Sequence, residues 1–369
     1  MADAPLVPAR EAGGNGAGIV DALDGLRGLA AIAVVTVHYR AMLGEWYFPS
    51  AFLAVDLFFI ISGIVICLNY EDRLRGGMST LRFMARRLAR LAPLYLVALA
   101  LGALVAVAGI VMGTGNWTGQ TLAPVVLAGS LMLPNPFPAP RPDLFPLNPP
   151  CWSLFWELAM NLVYALALPW LGVRALPALI AGGALLLIVV ATQAGGLNFG
   201  YDRMWLQIPA LRVLVGFSIG VLIARLAQQG RLPASPVPVA VLLAVPLVVL
   251  AAPSTLGWIK DVTLALIVFP LLCAAAMTAR PAHRRLCRTL GLISYPLYIT
   301  HAVLPFEKAD QRGPAPRGRG AGPGDRRGRA GYRDRVRLAA GRRVRQAGAG
   351  VAAQGLTGLA AVVPGDSIP

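Results

Sequence analysis

Runs of apolar residues dominate this chain of 369 residues and constrain its fold more than any other feature. The hydrocarbon core of a bilayer is about 30 Å thick, and an α-helix needs about 20 mostly apolar residues to cross it. Nine runs approach or reach that length, and they cover residues 23–43, 52–68, 92–112, 152–171, 176–193, 207–226, 238–252, 259–279 and 289–306. We therefore predict an all-α fold, a polytopic bundle of transmembrane helices.

The composition excludes an ordinary soluble protein. Hydrophobic residues make up 57% of the chain and charged residues only 14%, whereas about 25% of the residues in a soluble domain are charged. The four cysteines have neither paired nor metal-binding spacing, so we expect small core residues and no metal site. The first 22 residues lack the basic and apolar regions of a cleavable signal peptide, so the first span is expected to direct insertion.

A tenth run, residues 121–133, is shorter, and the distribution of positive charge decides how it is interpreted. If this run does not cross and the N-terminus is cytoplasmic, 15 of the Lys and Arg residues before residue 307 lie inside and 4 lie outside. If the run crosses, the division becomes 11 to 8. Because cytoplasmic loops carry an excess of Lys and Arg, we predict nine full spans, a short or re-entrant segment within 121–151, and a cytoplasmic N-terminus.

The chain divides into an N-terminal cytoplasmic segment (1–22), a transmembrane domain (23–306) and a basic tail (307–369). The tail holds 12 Arg and one Lys against five acidic residues, with many Gly, Ala and Pro, and we predict that it is disordered. An arm that binds nucleic acid or anionic lipid is one interpretation. A GC-rich gene read out of frame gives the same composition. We favour that hypothesis and expect no specific nucleic-acid partner.

Polar and ionisable side chains interrupt the apolar runs at a few positions. A charge at the bilayer midplane costs at least about 3 kcal/mol, so such residues are expected to face a cavity, a partner or a substrate. The residues of this kind are Asp24, Arg27, His38, Asp56, Glu157, Arg212, Ser294, Tyr298 and His301. Among them, Asp24, Arg212, Ser294, Tyr298 and His301 are candidates for binding substrate or for holding the bundle together.

The spacing of these residues predicts where they meet. Arg27 and His38 share one helical face, about 16 Å apart along the axis. Under the predicted topology, Asp56, Glu157 and His301 reach a similar depth to His38, in the outer half of the bundle. A His beside a carboxylate can take the proton from a hydroxyl nucleophile, so this convergence suits acid–base chemistry. The alternatives are an interfacial anchor for Arg27 and an interhelical hydrogen bond for His38.

Basic residues gather at the opposite, inner face. Arg27 lies there with a run formed by Arg82, Arg86, Arg87 and Arg90. Guanidinium groups bind phosphates well, so this cluster is a candidate site for a phosphate-bearing cytoplasmic substrate. Ordinary positive-inside topology explains the same run without any ligand.

Five sequence blocks together resemble the acyltransferase 3 family of bacterial inner-membrane proteins. They are the Arg27 and His38 pair with ten residues between, followed in order by DLFFIISG, RRLARLAPLY, WSLFWE and SYPLYITH. The resemblance implies a multi-pass protein of the bacterial inner membrane that transfers an acyl group, commonly acetyl from acetyl-CoA, onto a hydroxyl of an extracytoplasmic carbohydrate or glycolipid. Acyl-CoA, the acceptor carbohydrate and membrane lipid are then the expected partners.

The same resemblance implies roles for individual residues. His38 is the catalytic histidine, Arg27, Arg87 and Arg90 are the motif arginines, and Glu157 is the motif acid. We expect His38 to act as general base with Glu157 or Asp56 as its partner, and Arg27, Arg86, Arg87 and Arg90 to hold the phosphates of the acyl-CoA donor. Two alternatives stay open: a transporter or flippase of an amphipathic substrate, and an inactive, truncated family member.

Overall fold

The computed structural model describes residues 16–253, 256–279 and 283–303, with side chains described from residue 21 onward. Within these ranges every regular element is helical, apart from a single bridge between Asp143 and Asp202. The helices are α1 (Gly16–His38), α2 (Arg40–Leu43), α3 (Ala54–Arg75), α4 (Thr80–Val111), α5 (Gly119–Ser130), α6 (Cys151–Ala167), α7 (Ala175–Ala194), α8 (Gln207–Gln228), α9 (Val239–Ala251), α10 (Trp258–Thr263), α11 (Phe269–Thr278) and α12 (Arg284–Thr300). Short 3₁₀ turns cover Ala51–Leu53 and His301–Val303, and a π-helical stretch, Leu264–Val268, joins α10 to α11.

The predicted all-helical fold is confirmed, and each of the nine predicted spans overlaps a helix. Five helical stretches in the described part of the chain are long and apolar enough to cross a membrane, namely Ala51–Arg75, Thr80–Val111, Ala175–Ala194, Gln207–Gln228 and Trp258–Thr278. The tenth apolar run forms α5, and its 12 residues are too few for a full crossing. The number of spans and their orientation stay predictions. The predicted tail, residues 307–369, and residues 1–15 lie outside the described residues.

Helix α4 begins at Thr80 rather than at residue 92, where the apolar run begins. The side chain of Ser79 caps the helix by accepting a hydrogen bond from the Arg82 backbone N–H at 3.3 Å. The residues that follow are mostly Arg, Ala, Leu and Met, which favour helices. As a result the basic run is helical, with Arg87 buried and Arg90 exposed.

Glycines allow the helices that carry the predicted site residues to approach closely. A Cβ atom added to Gly28 in α1 would lie 2.4 Å from Leu290 Cβ in α12. Likewise, a Cβ atom at Gly63 in α3 would lie 2.1 Å from the Phe217 carbonyl oxygen in α8. Small residues at such contacts let membrane helices pack backbone to backbone. The contacts fix α1 against α12 and α3 against α8.

The segment between α5 and α6 folds back toward the end of α12. Asn148 Nδ2 donates a hydrogen bond of 2.8 Å to the Ile299 carbonyl oxygen. Farther from α6, Arg141 and Asp143 form an ion pair of 2.6 Å, and Asp143 is buried. Burial raises the pKa of the Asp143 carboxyl, while the nearby guanidinium acts in the opposite direction. The segment thus has its own polar contacts and lies beside His301.

Candidate active site

A cavity of about 360 Å³ is bounded by residues of α1, α3, α4, α6 and α12. The polar residues that line it are Arg27, Ser62, Arg87, Arg90, Ser153, Glu157, Ser294, Tyr295 and Tyr298. Apolar side chains from α3, α6 and α12 complete the wall, including Val55, Phe58, Val65, Leu154 and Ile299. Side chains from five helices therefore share one cavity.

Positive charge is concentrated at one end of this cavity, which we call the arginine end and define by Arg27, Arg87 and Arg90. Arg87 is buried and forms an ion pair of 3.0 Å with Glu157. Ser62 donates a hydrogen bond of 2.8 Å to the same carboxylate oxygen. The three guanidinium groups outnumber Glu157, so the arginine end carries a net positive charge.

Two of these arginines keep capacity to bind a ligand. The buried Nε of Arg87 has no hydrogen-bond partner among the described residues. Arg27 contacts Asp24 at 3.6 Å, which is longer than a hydrogen bond. A buried N–H group without a partner is costly, so an incoming acceptor group is favoured at Arg87. An anion with several oxygen atoms satisfies this requirement.

Two imidazole rings meet at the C-terminal ends of α1 and α12. We call this region the histidine end and define it by His38 and His301. Their centroids are 4.7 Å apart in an edge-on arrangement. His38 is half-buried, whereas His301 is only 2% exposed. Tyr39 fixes the two helix ends together, because its hydroxyl donates to the His301 carbonyl oxygen at 2.7 Å. The predicted meeting of His38 and His301 is therefore present.

Backbone carbonyls set the tautomers of both rings. His38 Nδ1 lies 2.8 Å from the Val34 carbonyl oxygen, and His301 Nδ1 lies 2.8 Å from the Tyr298 carbonyl oxygen. A carbonyl oxygen only accepts, so each Nδ1 carries the proton, and each Nε2 is unprotonated in the neutral ring. The Nε2 of His301 is buried and has no partner among the described residues. In its neutral form each ring therefore has an Nε2 atom that can accept a hydrogen bond.

Tyr298 connects the cavity to the histidine end. Its hydroxyl lies 2.7 Å from Ser153 Oγ, and its ring packs edge-on against Phe58 with centroids 5.4 Å apart. The same ring also lies near His301, with centroids 5.9 Å apart. Tyr298 lines the cavity, so its ring connects that space to His301, which in turn contacts His38.

Asp56 has a different partner from the one predicted. Its carboxylate binds the Arg212 guanidinium through two hydrogen bonds of 2.9 Å and 2.7 Å, and both side chains are buried. The Arg212 guanidinium also lies over the Trp152 ring, 5.7 Å from its centroid. Glu157 is bound to Arg87. Among the contacts of the described residues, His38 therefore meets neither the Asp56 nor the Glu157 carboxylate. A guanidinium offers a carboxylate a planar pair of N–H donors, which is a stronger arrangement than a single imidazole N–H.

Of the remaining predicted residues, Asp24, Arg86 and Ser294, only Ser294 is among the described residues that line the cavity. Ser294 lines it and donates to the Gly291 carbonyl oxygen at 2.7 Å. Asp24 lies beside Arg27 and is partly exposed. Arg86 is partly exposed on α4 and is not among the described residues that line the cavity.

Sequence reasoning missed several residues that the structure places in or near the site. Ser62 and Ser153 contact Glu157 and Tyr298, and Phe58 packs on Tyr298. Serines within apolar runs were the available signal for the first two. A second buried polar cluster, centred on Glu71, was also missed; Tyr164 donates to its carboxylate at 2.6 Å and Arg225 forms an ion pair with it at 2.9 Å.

Comparison with known proteins identifies the family. A family profile described as an acyltransferase domain matches residues 20–311. The chain is also similar to a Rhizobium radiobacter protein called protein 2 in picA locus, with 40% identity over 152 residues, which is 39% of this chain and 79% of that protein. No solved structure matches the chain. The family resemblance found in the sequence is confirmed: the chain belongs to the acyltransferase 3 family and is an integral membrane acyltransferase.

Proposed function

We propose that this protein moves an acyl group, acetyl being the expected one, from cytoplasmic acyl-CoA to a hydroxyl of an extracytoplasmic carbohydrate or glycolipid. One observation carries the proposal: a single cavity has cations at one end and approaches two imidazoles, across the Tyr298 ring, at the other. Arg27 and His38 mark these ends on the same helix, about 16 Å apart along its axis. An extended pantetheine arm can cover such a distance.

The arginine end is the proposed binding site for the CoA phosphates. Arg27 and Arg90 line the cavity, and Arg87 has an Nε group that is free of partners among the described residues. Phosphate oxygens accept charge-assisted hydrogen bonds from guanidinium groups, which are about twice as strong as neutral ones. Glu157 holds Arg87 in place in this proposal, rather than acting on His38.

His38 is the proposed general base. Its Nε2 takes the proton of the acceptor hydroxyl, and the hydroxyl oxygen attacks the carbonyl carbon of the thioester. The C–S bond breaks, the acyl group stays on the acceptor as an ester, and the CoA thiolate takes the proton from the His38 imidazolium. His38 suits this role better than His301, because it is half-buried and so more accessible to an acceptor.

The orientation follows from the same arrangement. Arg87 and Arg90 of the arginine end belong to the basic run that also contains Arg82 and Arg86, so the positive-inside rule favours the cytoplasmic side for this end. The histidine end then faces the outside of the bacterial inner membrane, beside the folded segment that contains Asn148. Acyl-CoA is available on the first side and surface carbohydrates on the second.

The test is transfer of radiolabel from acetyl-CoA to membrane glycans. We expect His38→Ala to lower the initial rate by about 10²–10⁴-fold, because a positioned general base contributes that much. His283→Asn is the matched control, since His283 is exposed, lies at the start of α12 with a positive φ of 53°, and is not among the described residues that line the cavity. Equal labelling by wild type and His38→Ala would remove His38 from the reaction. A wild type without any transfer would contradict the proposed function.

A further inference from the structure

We propose that the end of the cavity nearest the histidines is an acyl-binding pocket, and that Phe58 sets the longest acyl chain that the enzyme transfers. This inference rests on the proposed function, in which the acyl donor occupies the cavity. It adds a subsite for the acyl group, with a named residue that selects among acyl chains.

The cavity changes in character along helix α3. Val65 and Ser62 lie toward the arginine end, where Ser62 hydrogen-bonds to Glu157. Phe58 and Val55 lie about one and two turns before Ser62, closer to the start of the helix, and line the same cavity. The cavity therefore has a charged part and an apolar part, and α3 contributes to both.

Contacts between helices place the apolar part next to the imidazoles. On α6, Ser153 lies one turn before Glu157, and it hydrogen-bonds to Tyr298 at 2.7 Å. On α12, Ile299 follows Tyr298 and also lines the cavity. The apolar part thus lies at the level of Tyr298, directly beside His301.

Phe58 and Tyr298 form the wall of this pocket. Their rings are 5.4 Å apart and edge-on, and Ser153 holds the Tyr298 hydroxyl. A thioester that reaches His38 must bring its acyl group to this wall. Additional methylene groups on the acyl chain then meet the ring of Phe58, which is half-buried and cannot retreat without losing its contact with Tyr298.

Each methylene group in an apolar pocket changes the relative rate of two substrates by about 10–200-fold. We therefore expect wild type to prefer acetyl-CoA over butyryl-CoA strongly. Phe58→Ala removes the ring and opens space at that wall. The ratio of kcat/KM for butyryl-CoA to that for acetyl-CoA should rise by about 10-fold or more in this variant.

The experiment measures kcat/KM for acetyl-, propionyl-, butyryl- and hexanoyl-CoA with the full-length protein in native-like membranes. Val65→Ala is the matched control, because Val65 lies on the same helix, two turns from Phe58, and lines the cavity at its arginine end. This control enlarges the cavity without enlarging the proposed acyl pocket. Its acyl-chain ratios should stay within about two-fold of wild type.

The possible outcomes separate this inference from the proposed function. If Phe58→Ala does not fold, Phe58→Leu decides, with a smaller rise in the same ratio expected. Unchanged acyl-chain ratios in the folded variant, or an equal rise in Val65→Ala, would overturn the role of Phe58 while acetyl transfer by wild type continues. A wild type that transfers no acyl group from any of the four donors contradicts the proposed function itself, and the inference that rests on it.

Discussion

The ion pair between Asp56 and Arg212 should be structural, and breaking it should cost more stability than any other single polar change near the site. All five N–H groups of the Arg212 guanidinium are used: two bind the Asp56 carboxylate, and the others bind the carbonyl oxygens of Phe52, Leu197 and Phe199. Removing one partner of a buried pair costs about 3–5 kcal/mol, because the other charge is left uncompensated.

Asp56→Leu is therefore expected to lower the ratio of folded to unfolded protein by about 10²–10⁴, since each 1.4 kcal/mol is a factor of ten. Arg212→Met should have an effect of similar size. The double variant should be more stable than the sum of the two single effects indicates, because it leaves no buried charge unpaired at this position. The assay is thermal unfolding of detergent-solubilised protein, with transfer activity measured per folded molecule.

Two results would refute this reasoning. Additive losses in the double variant would mean that Asp56 and Arg212 are not energetically coupled. An Asp56→Asn variant that melts like wild type but has lost acyl transfer would instead place Asp56 in the chemistry, as the sequence led us to expect.

Two further predictions concern the arginine end and the helix contact that supports it. Arg90→Ala should raise KM for acyl-CoA by about 10–100-fold, because it removes one charge-assisted hydrogen bond. Arg174 is exposed and is not among the described cavity-lining residues, so Arg174→Ala should leave KM unchanged. Equal KM values in the two variants would exclude Arg90 from donor binding. Gly28→Ala should destabilise the protein by about 1–3 kcal/mol, because its Cβ meets Leu290, whereas Gly182→Ala, with nothing within 4 Å, should be neutral or stabilising in thermal unfolding.

The sequence predicts the helices better than their ends. Hydropathy identifies the apolar part of each helix, and those parts overlap the observed helices throughout the described ranges. It does not detect helical turns that continue into polar sequence, as at Thr80–Leu91 in α4 and Arg284–Arg288 in α12. Those turns depend on capping and helix propensity, which the search for apolar runs ignores.

The sequence also predicts the depth of a polar residue within the helix bundle better than it predicts the residue that contacts it. The approach of His38 and His301 follows from similar depth, and the structure contains it. The pairing of Asp56 with Arg212 is different, because the two residues are 156 positions apart on α3 and α8. Which helices are neighbours, and which faces they share, depends on contacts such as Gly63 against Phe217. A single sequence carries no direct signal for such neighbours.

The position of both histidines at helix C-termini offers a substitute for a carboxylate partner. His38 is the last residue of α1, and His301 directly follows α12. Carbonyls from the final turn of each helix orient the rings through Nδ1, which is the task that an acid performs in a catalytic triad. The negative end of a helix dipole also favours a cation there by about 0.3–1 kcal/mol, and by up to about 2 kcal/mol where the site is partly buried. In the proposed mechanism His38 takes a proton, and the imidazolium formed is such a cation, so the fold itself can stabilise it while Asp56 and Glu157 remain bound to arginines.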